Sequence, residues 1–149
     1  MQWTTGPNAG FSTADAARLY APVVTDPAYH FAGHNVQALE RKPTSFLNWL
    51  RRMLTTYRAD PAFRGRTLRV LPTTNSHVLA FVRAHDGSTV LCLNNLSRFV
   101  QPVQVDLAAW HGRVPVEVIG GAVCPAITAA PYLFTLGPHG FLWCRLESH

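Results

Sequence analysis

The chain has 149 residues and a mass of 16.5 kDa, enough for one domain with a core plus an arm, and too few for a whole (β/α)8 barrel of typically about 250 residues. Hydrophobic residues make up 48% and charged residues 14%, a balance that excludes a disordered chain. No apolar run approaches the roughly 18 residues of a membrane helix, and MQWTTGPNAG has neither a charged n-region nor an apolar h-region. The expectation is a soluble, unexported protein with no membrane partner.

The net charge of +5 is concentrated in one stretch, because eight of the thirteen basic residues lie between Arg41 and Arg69, where Asp60 is the sole acid. Such a cluster can serve nucleic acid. This one falls partly on a predicted amphipathic helix and has no aromatic-interleaved recognition motif, so it reads as a solvated or domain-facing surface and no nucleic-acid partner is expected. Cys92, Cys124 and Cys144 form no CxxC pair, and their odd number fits a reducing, cytoplasmic compartment better than a disulfide scaffold. Cys92 and Cys144 lie in apolar strand-like runs, where a thiol behaves as a small hydrophobe.

In chain order, the first forty-odd residues carry Pro7, Pro22, Pro27 and Pro43 with Gly6, Gly10 and Gly33, and show no sustained periodicity. They are expected to form an irregular arm, and so long an irregular stretch suggests packing on something larger. His30 and His34 have the spacing of a helical zinc pair, but Gly33 lies between them and no HExxH glutamate accompanies them, so they read as loop histidines. From Ser45 to Arg58 the residues Phe46, Trp49, Leu50, Met53, Leu54 and Tyr57 recur at helical spacing. Thr44 or Ser45 supplies the N-cap and Asp60-Pro61 the stop. The two large aromatics on the apolar face argue that this helix docks on a substantial apolar surface.

Beyond Gly65 the period falls towards two, with strands predicted at 67–71, 77–84, 88–93, 100–106, 113–119, 132–136 and 139–146. Asp86-Gly87 is a hairpin signal and Gly137-Pro138-His139-Gly140 a second reversal. Short strands with turn punctuation and no helices between them predict an antiparallel β-sandwich. The fold class expected is mainly β, a sandwich preceded by the arm and one α-helix.

Chemical motifs are sparse. There is no GxSxG elbow, no GxGxxG and no GxxxxGK[ST], so neither a serine nucleophile nor a phosphate cradle is supported, and no cofactor or metal is expected. Asp15, Asp26, Asp60, Asp86 and Asp106 fall in turns, caps or strand ends and read as capping or solvated residues. The arm is rich in aromatics (Trp3, Phe11, Tyr20, Tyr29 and Phe31), which could stack on sugar faces but are read first as packing.

Several segments, MQWTTGPNAGFS, LYAPVVTDPAYHFAGHNVQALE, SFLNWLRRML, DPAFRGRTLRVL, LCLNNLSRFVQPVQVDL and GRVPVEVIGG, together resemble the last part of bacterial trehalose synthases (maltose α-D-glucosyltransferases) of the α-amylase superfamily, from Met1 to about Leu146. The resemblance implies that residues 1–62 are a remnant of a catalytic (β/α)8 barrel, the loop after its eighth strand followed by its eighth helix (45–58). Residues 63–149 are then the C-terminal β-sandwich. It further implies retaining transglycosylation that interconverts maltose and trehalose, with a nucleophilic carboxylate and an acid/base carboxylate about 5 Å apart. Those carboxylates would precede Met1, so no catalytic residue is expected in this chain, and maltose and trehalose would be ligands of the intact enzyme alone. Gln2, Trp3, Asn8 and Phe11 are the candidate substrate-loop residues. The face of Phe46, Trp49, Leu50, Met53, Leu54 and Tyr57 is the candidate barrel-packing surface, and its exposure predicts self-association. A missing catalytic barrel, from the same gene or a separate chain, is the expected partner. The alternative from the residues themselves is a free-standing α-glucan-binding sandwich that uses Trp110 and Trp143 as exposed aromatics.

Overall fold

The computed structural model of the chain describes residues 2–148 and divides into two compact units, one ending at Leu54 and the other beginning at Thr55. The border lies within a helix.

The first unit differs from the irregular arm expected. Three single 3-10 turns (Pro7–Gly10, Ala16–Arg18 and Pro27–Tyr29) are followed by a true helix, α1 (Val36–Arg41). At six residues α1 is too short to show a period in the sequence. Its start is fixed by Asn35, which is 1% exposed and whose Oδ1 accepts from Ala38 N at 2.8 Å. Two further orphan amides at that end, Val36 N and Gln37 N, donate to Gln2 O and Trp3 O, both at 3.0 Å, so the beginning of the chain is tied to the helix N-terminus. Asp15 and Asp26 cap their turns by accepting from Ala17 N and Ala28 N, as a capping reading of these acids requires.

The helix α2 (Phe46–Ala59) forms where its periodicity predicts. Ser45 is buried and caps it, its Oγ accepting from Asn48 N at 3.2 Å, and Asp60-Pro61 stops it. Asp60 then caps α3 (Pro61–Arg64) through Oδ1, which accepts from Ala62 N at 3.0 Å. No residue of α2 is buried, despite its apolar stripe.

The second unit is the sandwich. Its larger sheet is antiparallel, with strands β1 (Leu68–Leu71), β2 (Val78–His85), β3 (Ser88–Asn95), β7 (Phe141–Glu147) and β5 (Val114–Glu117) in that spatial order; β4 (Gln101–Val105) pairs with β6 (Tyr132–Leu136) in the smaller sheet. Asp86 and Gly87 have φ of 45° and 76° in a two-residue hairpin that sets His85 opposite Ser88, the turn geometry that Asp-Gly favours. β5 is shorter than the predicted 113–119, because the Glu117 carboxylate accepts from Ile119 N and Gly120 N and turns the chain.

Alternation explains the core. On β2 Val78, Ala80 and Val82 point inward, opposite Leu91 and Leu93 of β3, and meet Val103, Val105, Phe134 and Leu136 from the smaller sheet. β3 is buried on both faces. Its other side, Val90 and Cys92, is covered by Ala62 and Phe63 of α3, which accounts for the unbroken apolar run at 90–93.

Candidate functional site

The concave regions among the described residues include one in each unit that gathers candidate side chains. In the first unit a cavity of about 620 Å³ is lined by Gln2, Phe11, Leu19, residues 21–24, Tyr29, His34, Asn35 and Leu39. Its wall is tightly held. Leu39 O accepts from both Ser45 Oγ (2.7 Å) and Asn48 Nδ2 (3.1 Å), and the same Asn48 amide reaches Glu40 O and Lys42 O. An Arg51–Glu40 ion pair at 2.7 Å joins α2 to α1 across the same corner.

Of the four candidate substrate-loop residues, the cavity brings together Gln2 and Phe11. Gln2 Nε2 is engaged on Tyr29 O at 2.9 Å. Trp3 is half exposed outside the lining, and Asn8 Nδ2 donates to Ser12 O and Ala14 O, holding its own turn. That turn is strained: Asn8 and Ala9 have φ of 52° and 55°. Gly10, at φ 77°, has no room for a Cβ, which would lie 2.8 Å from Thr4 Oγ1. His30 Nδ1 accepts from Ala32 N, while His34 lines the cavity, and among the described residues no cluster of three metal-ligating side chains forms around either.

On the sandwich, a cleft of about 520 Å³ gathers Asp60, Ser88, Arg113, Arg145 and Glu147. This group was not legible in the sequence, because Asp60 and Arg145 are 85 positions apart and meet through the strand register. Asp60 is 2% exposed, and its carboxylate accepts from Ser88 Oγ at 2.7 Å, Ala62 N at 3.0 Å and Arg145 Nε at 2.9 Å. Burial pushes its carboxyl up, but the hydrogen bonds from Ser88, Ala62 N and Arg145, with the Arg145 charge, outweigh burial and hold it below the ordinary value. Arg145 also pairs with Glu147 at 3.4 Å, so the two carboxylates share one guanidinium. A general acid needs a raised pKa, and Asp60 has the opposite shift.

The two buried thiols offer no nucleophile either. Burial pushes both Cys92 and Cys144 up to about 12, so neither is a thiolate at neutral pH. Trp110 and Trp143 are not the exposed aromatics expected. Trp110 is half-buried against the core with the Arg69 guanidinium 5.0 Å from its ring, and Trp143 is half-buried between Phe63 (5.1 Å) and Phe141 (5.5 Å). Both rings are occupied by protein, and nothing in the geometry favours the glucan-binding alternative.

With the sandwich geometry in place, a family described as Maltogenic Amylase, C-terminal domain, matches residues 68–143, which is β1 through the first residues of β7. The chain belongs to that family. Relatives of this maltogenic amylase C-terminal domain extend the match across its preceding residues. The trehalose synthase/amylase TreS of Mycobacterium tuberculosis is 48% identical over 152 residues, covering 100% of this chain and 25% of TreS. The trehalose synthase of Pimelobacter sp. is 46% identical over 98% of this chain and 26% of its own length. The match is to the C-terminal region of these proteins, and the chain spans about a quarter of their length. Among solved structures, the alpha-glucosyl transfer enzyme XgtA superposes with a TM-score of 0.71 at 24% identity, over 99% of this chain and 25% of that one. The trehalulose synthase MutB of Pseudomonas mesoacidophila gives 0.68 at 21%, over 98% and 24%. At these identities the two structures speak for the fold.

Proposed function

We propose that this chain is the non-catalytic C-terminal part of a trehalose synthase that works in the cytoplasm. Joined to its catalytic barrel, the enzyme would interconvert maltose and trehalose by intramolecular transglucosylation. In this reading residues 1–62 complete the barrel with the loop after its eighth strand and its eighth helix, and residues 63–149 are the sandwich that stabilises it. Gln2, Trp3, Asn8 and Phe11 shape the substrate side of that loop. The α2 face of Phe46, Trp49, Leu50, Met53, Leu54 and Tyr57 lies against the barrel, or against a second copy of the chain when the barrel is absent.

The observation that carries the non-catalytic reading is the engagement of every Asp and Glu side chain among the described residues. Asp15, Asp26 and Asp106 cap turns, Glu40 pairs with Arg51, Asp86 with His85, and Glu147 with Arg145; Glu117 holds its own turn and Asp60 is the buried hub. Retaining glycosyl transfer requires one carboxylate free to attack and a second with a raised pKa, about 5 Å apart. No two acids here meet those terms.

The test is incubation of the purified chain with maltose, followed by carbohydrate NMR for the trehalose anomeric signal. No signal is expected from the chain alone, and signal is expected when the chain replaces the matching quarter of the Pimelobacter enzyme. Trehalose formed by the chain unaided overturns the reading, as does an inactive chimera that is properly folded.

A further inference from the structure

We propose that Asn35 is a positioning residue for the candidate substrate loop: through the first turn of α1 it fixes the backbone of Gln2 and Trp3, and so governs whether a glucosyl group held by the enzyme passes to glucose or to water. The inference rests on the proposed function, and it adds which residue outside the loop controls the outcome of the reaction.

The support is a set of hydrogen bonds that converge on one buried amide side chain. A helix begins with backbone amides that have no partner inside it. In α1 these include Val36 N, Gln37 N and Ala38 N, and all three are satisfied. Ala38 N donates to Asn35 Oδ1 at 2.8 Å, while Val36 N and Gln37 N donate to Gln2 O and Trp3 O, both at 3.0 Å. Asn35 Nδ2 donates in turn to Phe31 O at 2.8 Å, so the same side chain ties the approach to the helix to its first turn. Trp3 N and Thr4 N hold the segment from the other side by donating to Ala9 O. Among the described residues of the first unit, those that are buried are Ala9, Asn35, Val36 and Ser45, whereas Trp3 is 50% and Phe11 54% exposed. Burial therefore lies at the supports of the loop and not at the side chains that the loop presents. Removing the Asn35 amide orphans Ala38 N at a buried corner, which frays the first turn and releases the two amides that hold residues 2 and 3.

The chemistry of retaining transfer makes the position of the loop visible in the products. In the first half, a carboxylate of the proposed barrel bonds to the anomeric carbon of the non-reducing glucosyl unit of maltose, the glycosidic bond breaks, and the acid/base carboxyl protonates the departing glucose. Trehalose forms when the anomeric hydroxyl of that same glucose, still held in the site, attacks the glucosyl carbon, gives its proton to the acid/base carboxylate and displaces the first carboxylate. Water attacking in its place gives a second glucose. The partition depends on how well the site keeps glucose in and water out. Gln2 and Trp3 lie on the substrate side in the proposed function, and a displacement of about 1 Å in a positioning segment is enough to change a rate on the order of a hundredfold.

The test uses the chimera in which the chain replaces the matching quarter of the Pimelobacter enzyme, with the glucose and trehalose made from maltose both quantified by carbohydrate NMR. Asn35→Ala is compared with Asn35→Ser, whose hydroxyl still accepts from Ala38 N, and with Asp106→Ala, which removes a turn-capping carboxylate from the sandwich. Asn35→Ala is expected to raise the ratio of glucose to trehalose at least about fivefold. Asn35→Ser should fall between it and the wild type, and Asp106→Ala should match the wild type. A loss of folded protein lowers both products together and leaves their ratio alone, so the ratio separates positioning from stability. An unchanged ratio in Asn35→Ala, whatever the total rate, overturns the proposal, and so does a rise of equal size in Asp106→Ala. Should Asn35→Ala fail to fold by circular dichroism, Asn35→Ser decides: its ratio must exceed that of the wild type, and equality overturns the proposal. These outcomes leave the proposed function standing. A properly folded wild-type chimera that forms no trehalose overturns the proposed function, and the inference with it.

Discussion

At the residue scale, Asp60 shows how one acid can be read correctly in kind and missed in consequence. Asp-Pro after an amphipathic run predicts a helix stop, and Asp60 does end α2 and cap α3. Its bonds to Ser88 and Arg145 depend on the β2–β3 hairpin and the β3–β7 register, which no local pattern encodes. Asp60→Ala is expected to destabilise the sandwich by about 2–4 kcal/mol, through a lost cap and the orphaned donors of Ala62 and Ser88. The Arg145 pair adds towards the low end of its range, because that guanidinium is 44% exposed and screened by solvent. The folded carboxyl titrates below the ordinary 3.8, so its stabilisation is complete above that value and disappears as pH falls through the lower folded one. Urea midpoints measured from pH 7 down to pH 2 should therefore decline below about pH 4 in the wild type, and this part of the decline should be absent in Asp60→Ala.

At the element scale, what was legible followed periodicity and what was not lacked the length to show it. The 14-residue α2 and the eight-residue β2 repeat their apolar positions often enough to declare a period, and the shorter strands are marked by β-branched runs between turn residues, among them Asp86-Gly87 and Gly137-Pro138. α1 has six residues, and its first amides, Val36 N and Gln37 N, donate to Gln2 O and Trp3 O, more than thirty positions earlier, so its stability comes from tertiary bonds. Asn48 is the residue on which those bonds converge, donating to Leu39 O, Glu40 O and Lys42 O. It occupied the polar side of α2 in the sequence, where an amide looks solvated. Asn48→Ala should leave the sandwich intact and loosen this corner, by roughly 1–2 kcal/mol of local stability. Hydrogen exchange by mass spectrometry reads this directly: amides of residues 36–42 should exchange about tenfold faster while those of β2 and β3 do not change. Uniform acceleration across both units would show that the corner and the sandwich unfold as one.

At the scale of the whole molecule, sequence pattern carried the fold class, and likeness to trehalose synthases carried the functional reading. Composition and spacing alone held no catalytic signature, and in the proposed function the carboxylates of glycosyl transfer lie outside this chain. The physical observation that bears on that proposal is exposed apolar surface. In α2 no residue is buried; Phe46 is 70% exposed, Leu54 45% and Tyr57 39%, along one stripe of a helix whose sequence is that of a docked element. Tyr57 is partly accommodated, its ring 4.8 Å from Phe63, but Phe46 at the other end stacks on its neighbour Trp49 at 5.5 Å and still faces water. Burying one such side chain contributes about 1.5–3 kcal/mol, so three of them at a two-fold contact are enough to drive association at the concentrations of ordinary biophysical work. Sedimentation equilibrium of the wild type should therefore give a mass that rises with concentration above the 16.5 kDa of a monomer. Phe46→Glu combined with Leu54→Glu should hold it at the monomer, with unchanged far-ultraviolet circular dichroism, because neither side chain supports the internal fold. A wild type that stays monomeric throughout would mean that the stripe is satisfied within the chain, and the reading of α2 as a helix awaiting its barrel would lose its main physical support.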